Sequence, residues 1–141
     1  MLTPEPVDIV ARTLWAEARS HGMDGMAAVA NVIANRVAQP GWWGKDWVGV
    51  CKAKWQFSCW NPQEAAKNRI LTVNRADPDF NDALAIAAAA IAGELRDRTG
   101  GADHYYAEYI SEPDWAKGRK ATAIIGPLRQ RHFFYRIGLA G

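Results

Sequence analysis

The sequence predicts an α+β fold, mainly α: a body of about four helices with a small antiparallel β-sheet in the C-terminal third. Three observations carry this. Apolar residues recur at spacings of three and four through most of the first 96 residues, and an alanine-rich apolar run spans Ala83 to Ala92. After Thr99-Gly100-Gly101 the pattern changes to short Tyr-, Phe-, Ile- and Thr-rich segments bounded by Gly and Pro.

The first helix is predicted over residues 7–19, where Val7, Val10, Ala11, Leu14 and Ala18 share a face, with Pro4 and Pro6 before it and Gly22 after it. Asp24 is the expected N-cap of a second helix. Met26, Val29, Ala30, Ile33 and Val37 give that helix its apolar stripe, up to the Pro40-Gly41 break. Residues 41–61 carry Trp42, Trp43, Trp47, Trp55 and Trp60 without either period, so a long aromatic-rich loop is expected. If that segment is extended, Trp42 and Trp43 face opposite ways.

Pro62 suits the first turn of a third helix reaching about Val73. Asp79 is placed to cap a fourth from Phe80 to about Arg96, whose alanines make it apolar nearly all round and mark it as the central strut. Strands are expected in 102–107, 121–125 and 132–137. No repeat or linker interrupts the chain, so one domain over residues 1–141 is expected.

Composition narrows the function. With 49% hydrophobic and 23% charged residues the chain is globular rather than disordered. The start, MLTPEPVDIV, lacks the basic, apolar and small-residue regions of a secretory signal, and the longest apolar run is too short to span a bilayer. A chain without stable membrane insertion is expected. The net charge is only +2, yet residues 117–136 hold Lys117, Arg119, Lys120, Arg129, Arg131 and Arg136 without an acid. That stretch reads equally as a solvated face or as a patch for an anionic polymer, and nucleic acid is not the expected partner. Cys51 and Cys59 could form a local disulfide or stay thiols.

Glu17 breaks the helical pattern, because it follows Val10 by seven residues and Leu14 by three and so lies on or beside the buried stripe. Burial raises a carboxyl's pKa, and a carboxyl protonated near neutral pH is what protonates a glycosidic leaving oxygen. On position alone, an edge Glu paired with a basic residue is the commoner arrangement. The segment Trp55-Gln56-Phe57-Ser58-Cys59-Trp60 mixes rings with hydrogen-bonding groups, a composition suited to a sugar, although tryptophans also serve as core. His21, His104 and His132 raise a zinc amidase as an alternative, but there is no HExxH spacing. GxSxG and GxxxxGK[ST] are absent as well. No metal or cofactor is expected.

The blocks Ala11-Arg12-Thr13-Leu14-Trp15-Ala16-Glu17-Ala18-Arg19 and Ala28 to Val37 resemble the SleB-like cell-wall hydrolases, the family of the spore cortex-lytic enzymes. So do Gln56-Phe57-Ser58-Cys59-Trp60, Gly101 to Ala107, Pro113-Asp114-Trp115-Ala116, and Ile125-Gly126 with His132-Phe133-Phe134-Tyr135. The blocks stand in the family's order over about residues 8–136. The resemblance implies a lysozyme-like fold related to goose-type lysozymes and lytic transglycosylases, and it puts the catalytic acid on Glu17.

The expected activity is cleavage of peptidoglycan between N-acetylmuramic acid and N-acetylglucosamine, by hydrolysis or with a 1,6-anhydro product. Gln56, Ser58, Trp60, His104, Tyr105 and Tyr106 are the expected substrate-binding residues. The family commonly has Thr where this chain has Asp103 and a second His where it has Tyr106, so Asp103 is either a second carboxylate or a hydrogen-bonding group within the sheet. A non-catalytic glycan-binding or virion part is the other alternative. The expected setting is a monomeric phage or prophage endolysin. Such an enzyme accumulates in the cytoplasm until holin-type release and then acts on the wall, in the periplasm of a Gram-negative host.

Overall fold

The structure, a computed structural model, describes residues 3–54, 56–61 and 67–140. It is mainly α with a small antiparallel sheet, as predicted. The helices are α1 (Glu5–Ala18), α2 (Gly22–Ala38), α3 (Trp47–Lys52), α4 (Lys67–Thr72) and α5 (Pro78–Ile91). Strands β1 (His104–Ala107), β2 (Ala123–Ile125) and β3 (His132–Tyr135) follow. Among the described residues, no helix is long and apolar enough to cross a membrane.

α1 is the hub, touching α2, α3, α4 and α5. Pro6 sits in its first turn, where a missing N–H costs nothing, and Glu5 and Asp8 complement the positive end of the helix dipole. Ile9, Val10, Ala11, Leu14, Trp15 and Ala18 are buried around most of its circumference. A short 3-10 turn, Arg19–His21, leads into α2. Gly22 there adopts φ +71, a left-handed conformation that any β-carbon would strain. The second helix therefore begins two residues before the expected cap; Asp24 lies inside its first turn and pairs with Arg98 at 2.8 Å.

Further expectations are corrected. The aromatic segment is not wholly loop: Asp46 caps α3 by accepting from the Gly49 N–H at 2.7 Å, and Ser58–Trp60 forms a 3-10 turn. A helix of six residues is too short to show a period. The third predicted helix is described only as α4, residues 62–66 lying outside the described residues.

α5 is capped by Asp77, which accepts from Asp79 N and Phe80 N at 2.8 and 3.1 Å, and it ends at Ile91 rather than Arg96. Gly93 at φ +76 terminates it, with Glu94 N–H returning to Ala89 O at 2.9 Å. α5 is also not the central strut. Asn81, Ala85, Ala88 and Ala92 are exposed along one face, and alanine tolerates that face because its methyl group exposes little apolar surface.

The strands run in the order β1-β3-β2, both pairs antiparallel, with His104 opposite Tyr135 and Tyr105 opposite Phe134. Alternation puts Tyr105, His132 and Phe134 on one face. There Phe134 packs with Ala28 and Val32 of α2 and with Ala102. His104, Tyr106, Phe133 and Tyr135 occupy the other. Cys51 and Cys59 are buried thiols, and burial pushes Cys51 up to about 12.

Candidate active site

Glu17 sits at the penultimate position of α1, half-buried, where two depressions meet. The larger, of about 390 Å³, is walled by Arg36, Trp42, Gln56, Phe57, His104, Tyr105, Tyr106, Ile110 and Trp115. The smaller, of about 180 Å³, is walled by Trp15, Arg19, Ser58, Cys59 and Arg69. Glu17 is the only acid among the described residues lining either one.

β1 is an edge strand, and the larger depression runs along it. Both tyrosines reach that depression although alternation sends them to opposite faces. Tyr105 hydrogen-bonds to Glu17 and stacks on Phe134 at 5.6 Å. Burial first, and then the Glu17 charge, hold its phenol well above the usual range, so it remains a donor to the carboxylate. Tyr106 meets Trp115 at 5.8 Å edge-on and Tyr135 at 6.0 Å stacked.

Of the residues predicted from sequence, Gln56, His104, Tyr105 and Tyr106 join Glu17 in the larger depression. Ser58 is exposed and lines the smaller one. Trp60 lines neither. Its indole N–H donates to Thr13 Oγ1 at 2.9 Å and its ring packs against the core beneath Lys52, so it pins the 3-10 turn to α1. Trp55 lies outside the described residues.

Asp103 is buried, and its carboxylate faces away from Glu17's depressions. Oδ1 accepts from His104 Nδ1 at 2.8 Å and Ile137 N at 2.9 Å, and Oδ2 from Gly138 N at 2.9 Å. Asp103 thus ties the His104 ring to the backbone just past the end of β3, and it lines neither depression.

Arg36 is the residue that sequence reasoning missed. The residue is 6% exposed, and its guanidinium donates to Asp103 O at 2.7 Å and Gln56 Oε1 at 3.0 Å and stands over Trp43 at 5.3 Å. Arg36 follows Ile33 by three and Val29 by seven, the same stripe position that singled out Glu17, so the signal was present. Trp42 and Trp115 were also missed as site residues. Trp42 is 53% exposed and Trp43 fully buried; the segment is not extended there but turns between the bridged Gly41 and Gly44, so the turn and not strand alternation separates them.

The histidines do not converge. The His21 and His132 rings meet at 4.4 Å, tilted by 38°, whereas His104 is held by Asp103. Among the described residues no group of three or more His, Cys, Asp or Glu could hold a metal ion. The basic stretch is partly neutralised by acids from outside it, Lys117 by Asp114 at 2.9 Å and Arg131 Nε by Glu108 at 3.0 Å.

His132 yields a stability prediction. Burial, and secondarily His21, push its pKa down to about 4, against about 6.5 when unfolded. Between these values the unfolded chain binds more protons, so stability falls as pH drops through this window and levels off below it, by no more than about 3 kcal/mol. In His132→Phe that portion of the pH dependence is expected to vanish, as measured by urea unfolding across the window. Parallel wild-type and variant profiles would contradict it.

A mainly helical fold with one carboxyl group where two depressions meet, the larger walled by aromatic rings, suits an enzyme that cleaves glycosidic bonds. The chain belongs to the cell wall hydrolase family, whose model matches residues 20–135. That span begins after Glu17. The chain is also similar to the catalytic domain of the germination-specific lytic transglycosylase SleB from Bacillus anthracis. The two are 26% identical, with a TM-score of 0.71 over 96% of this chain and 97% of that one. No curated protein sequence matches it.

Proposed function

We propose that the protein cleaves peptidoglycan glycan strands between N-acetylmuramic acid and N-acetylglucosamine, with Glu17 acting first as acid and then as base. The observation that carries this is Glu17 itself, a half-buried carboxyl at the junction of two depressions, so that a polymer can pass on both sides of it. Protonated, Glu17 gives its proton to the glycosidic oxygen as the C1–O bond breaks. As a carboxylate, it then removes a proton from the group that closes onto C1.

Two-carboxylate glycosidases place their acids about 5–10 Å apart. With Glu17 the one acid of the described lining, a nucleophile already within the substrate, the muramic C6 hydroxyl, fits better than a water held by a second carboxylate. This supports a 1,6-anhydro product, in keeping with the likeness to SleB, a lytic transglycosylase. Tyr105 steadies the carboxylate through its phenol, and the Trp42, Trp115 and Tyr106 rings offer faces to the sugars. Gln56, whose Oε1 is taken by Arg36, directs its amide nitrogen to an acetamido oxygen. Ser58 serves the strand on the far side.

Mass analysis of muropeptides released from purified peptidoglycan is the test. Ends lighter by one water than hydrolysed ends are expected; reducing ends alone would mean that water attacks. We further place the enzyme as a monomer in a phage or prophage lysis system, acting on the wall after release. A holin reading frame beside its own would support that setting.

A further inference from the structure

We propose that Asp103 and His104 form a positioning pair, in which Asp103 locks the imidazole in the Nδ1–H tautomer so that Nε2 accepts a hydrogen bond from a glycan hydroxyl or acetamido N–H. The proposal rests on the muralytic reading for its ligand, but its geometry stands separately. A carboxylate that already takes the Ile137 and Gly138 amides can only accept, so His104 Nδ1, 2.8 Å from Asp103 Oδ1, must donate. The backbone amides also stop the carboxylate from turning to follow the ring.

The other ring nitrogen then carries a lone pair. His104 is 8% exposed, yet it borders the larger depression, its ring 4.9 Å from Trp115 and 6.2 Å from Trp42. Among the described residues no group bonds Nε2, and no buried side-chain nitrogen or oxygen lacks a partner, so Nε2 opens on the depression. Burial, together with the Arg36 and Arg119 charges, outweighs Asp103 and keeps the imidazole neutral below its ordinary range. An acceptor with no competing donor is thus presented among aromatic rings beside the catalytic acid.

Nitrogen NMR of the histidine rings in the intact chain tests this. A protonated Nδ1 and a bare Nε2 are expected for His104 at neutral pH, with the Nε2 resonance moving when soluble peptide-free glycan strands are added. An Nε2–H tautomer, or an Nε2 unmoved at saturating glycan, overturns the proposal. In Asp103→Asn the Nε2–H form is expected to become populated and glycan affinity to fall; an unchanged tautomer and affinity would count against the pair.

Kinetics supply the second arm. His104→Phe is expected to raise KM for the strands roughly five- to tenfold with little change in kcat, the worth of one neutral hydrogen bond. His104→Gln, whose amide reaches the Nε2 position, is expected to restore most of this. A Gln variant that is folded and as impaired as Phe would reduce His104 to packing. Failure of the wild type to cut peptidoglycan would sink the muralytic reading alone, because the tautomer and the glycan-induced shift are read without turnover.

Discussion

Glu17→Gln should leave a folded protein whose release of fragments from purified peptidoglycan falls about a thousandfold or more, within the range that positioned acid–base catalysis contributes. Glutamine has the shape of a protonated glutamate, and its carbonyl can still accept from the Tyr105 phenol, so the helix end and the two depressions keep their geometry. What is lost is the transferable proton. Among the described lining residues of the two depressions there is no other acid to substitute for it. Glu17→Asp is expected to lose about a hundredfold, because withdrawing the carboxyl by about 1 Å spoils the near-attack geometry. The thermal midpoints of both variants should lie close to the wild type. Undiminished clearing by a folded Glu17→Gln protein would remove Glu17 from the mechanism, and retention of glycan strands by wild type without any cleavage would favour a binding module instead.

Arg36→Met is expected to unfold about 3 kcal/mol more easily, a fall in melting temperature of about 10 °C for a chain of this size, and to lose most activity. Methionine keeps much of the volume. It strands the Asp103 carbonyl and Gln56 Oε1, both of which now receive charged donors at 2.7 and 3.0 Å. The desolvation that lowers the Arg36 pKa already costs part of this gain, which holds the net value below the sum of the bonds. Arg36→Lys is expected to recover only a minor part, since an ammonium cannot reproduce a fork that serves two acceptors while lying over the Trp43 ring. Denaturant unfolding with a stability change under about 1 kcal/mol would show that water fills the role.

The activity loss follows from where Arg36 stands. It joins the start of β1, through the Asp103 carbonyl, to Gln56 in the aromatic segment, and so connects three parts of the chain whose side chains meet in the larger depression. Glu17 and Arg36 share one trait in the sequence, each being a charged residue at a stripe position of a strongly periodic helix, but that trait alone does not separate a site residue from a paired edge residue. Trp60 and Trp115 show the opposite case. Both are tryptophans in short, irregular segments, yet one donates to Thr13 and fills core while the other edges the cleft. Nothing in composition distinguishes them.

Local pattern was enough for α1 and α2 and for the three strands, because periods of 3.6 and 2 are properties of contiguous residues. It failed at α3, which is shorter than two turns, and at the end of α5, where Gly93 closed a helix whose alanines gave no sign of stopping. Family blocks in the sequence singled out Glu17. Only the tertiary structure decided that Tyr105 bonds to it, that Asp103 turns toward the Ile137 and Gly138 amides, and that Ser58 lines the smaller depression rather than the larger. Those outcomes depend on how segments up to 88 residues apart, as Glu17 and Tyr105 are, pack against one another, and no local periodicity encodes that.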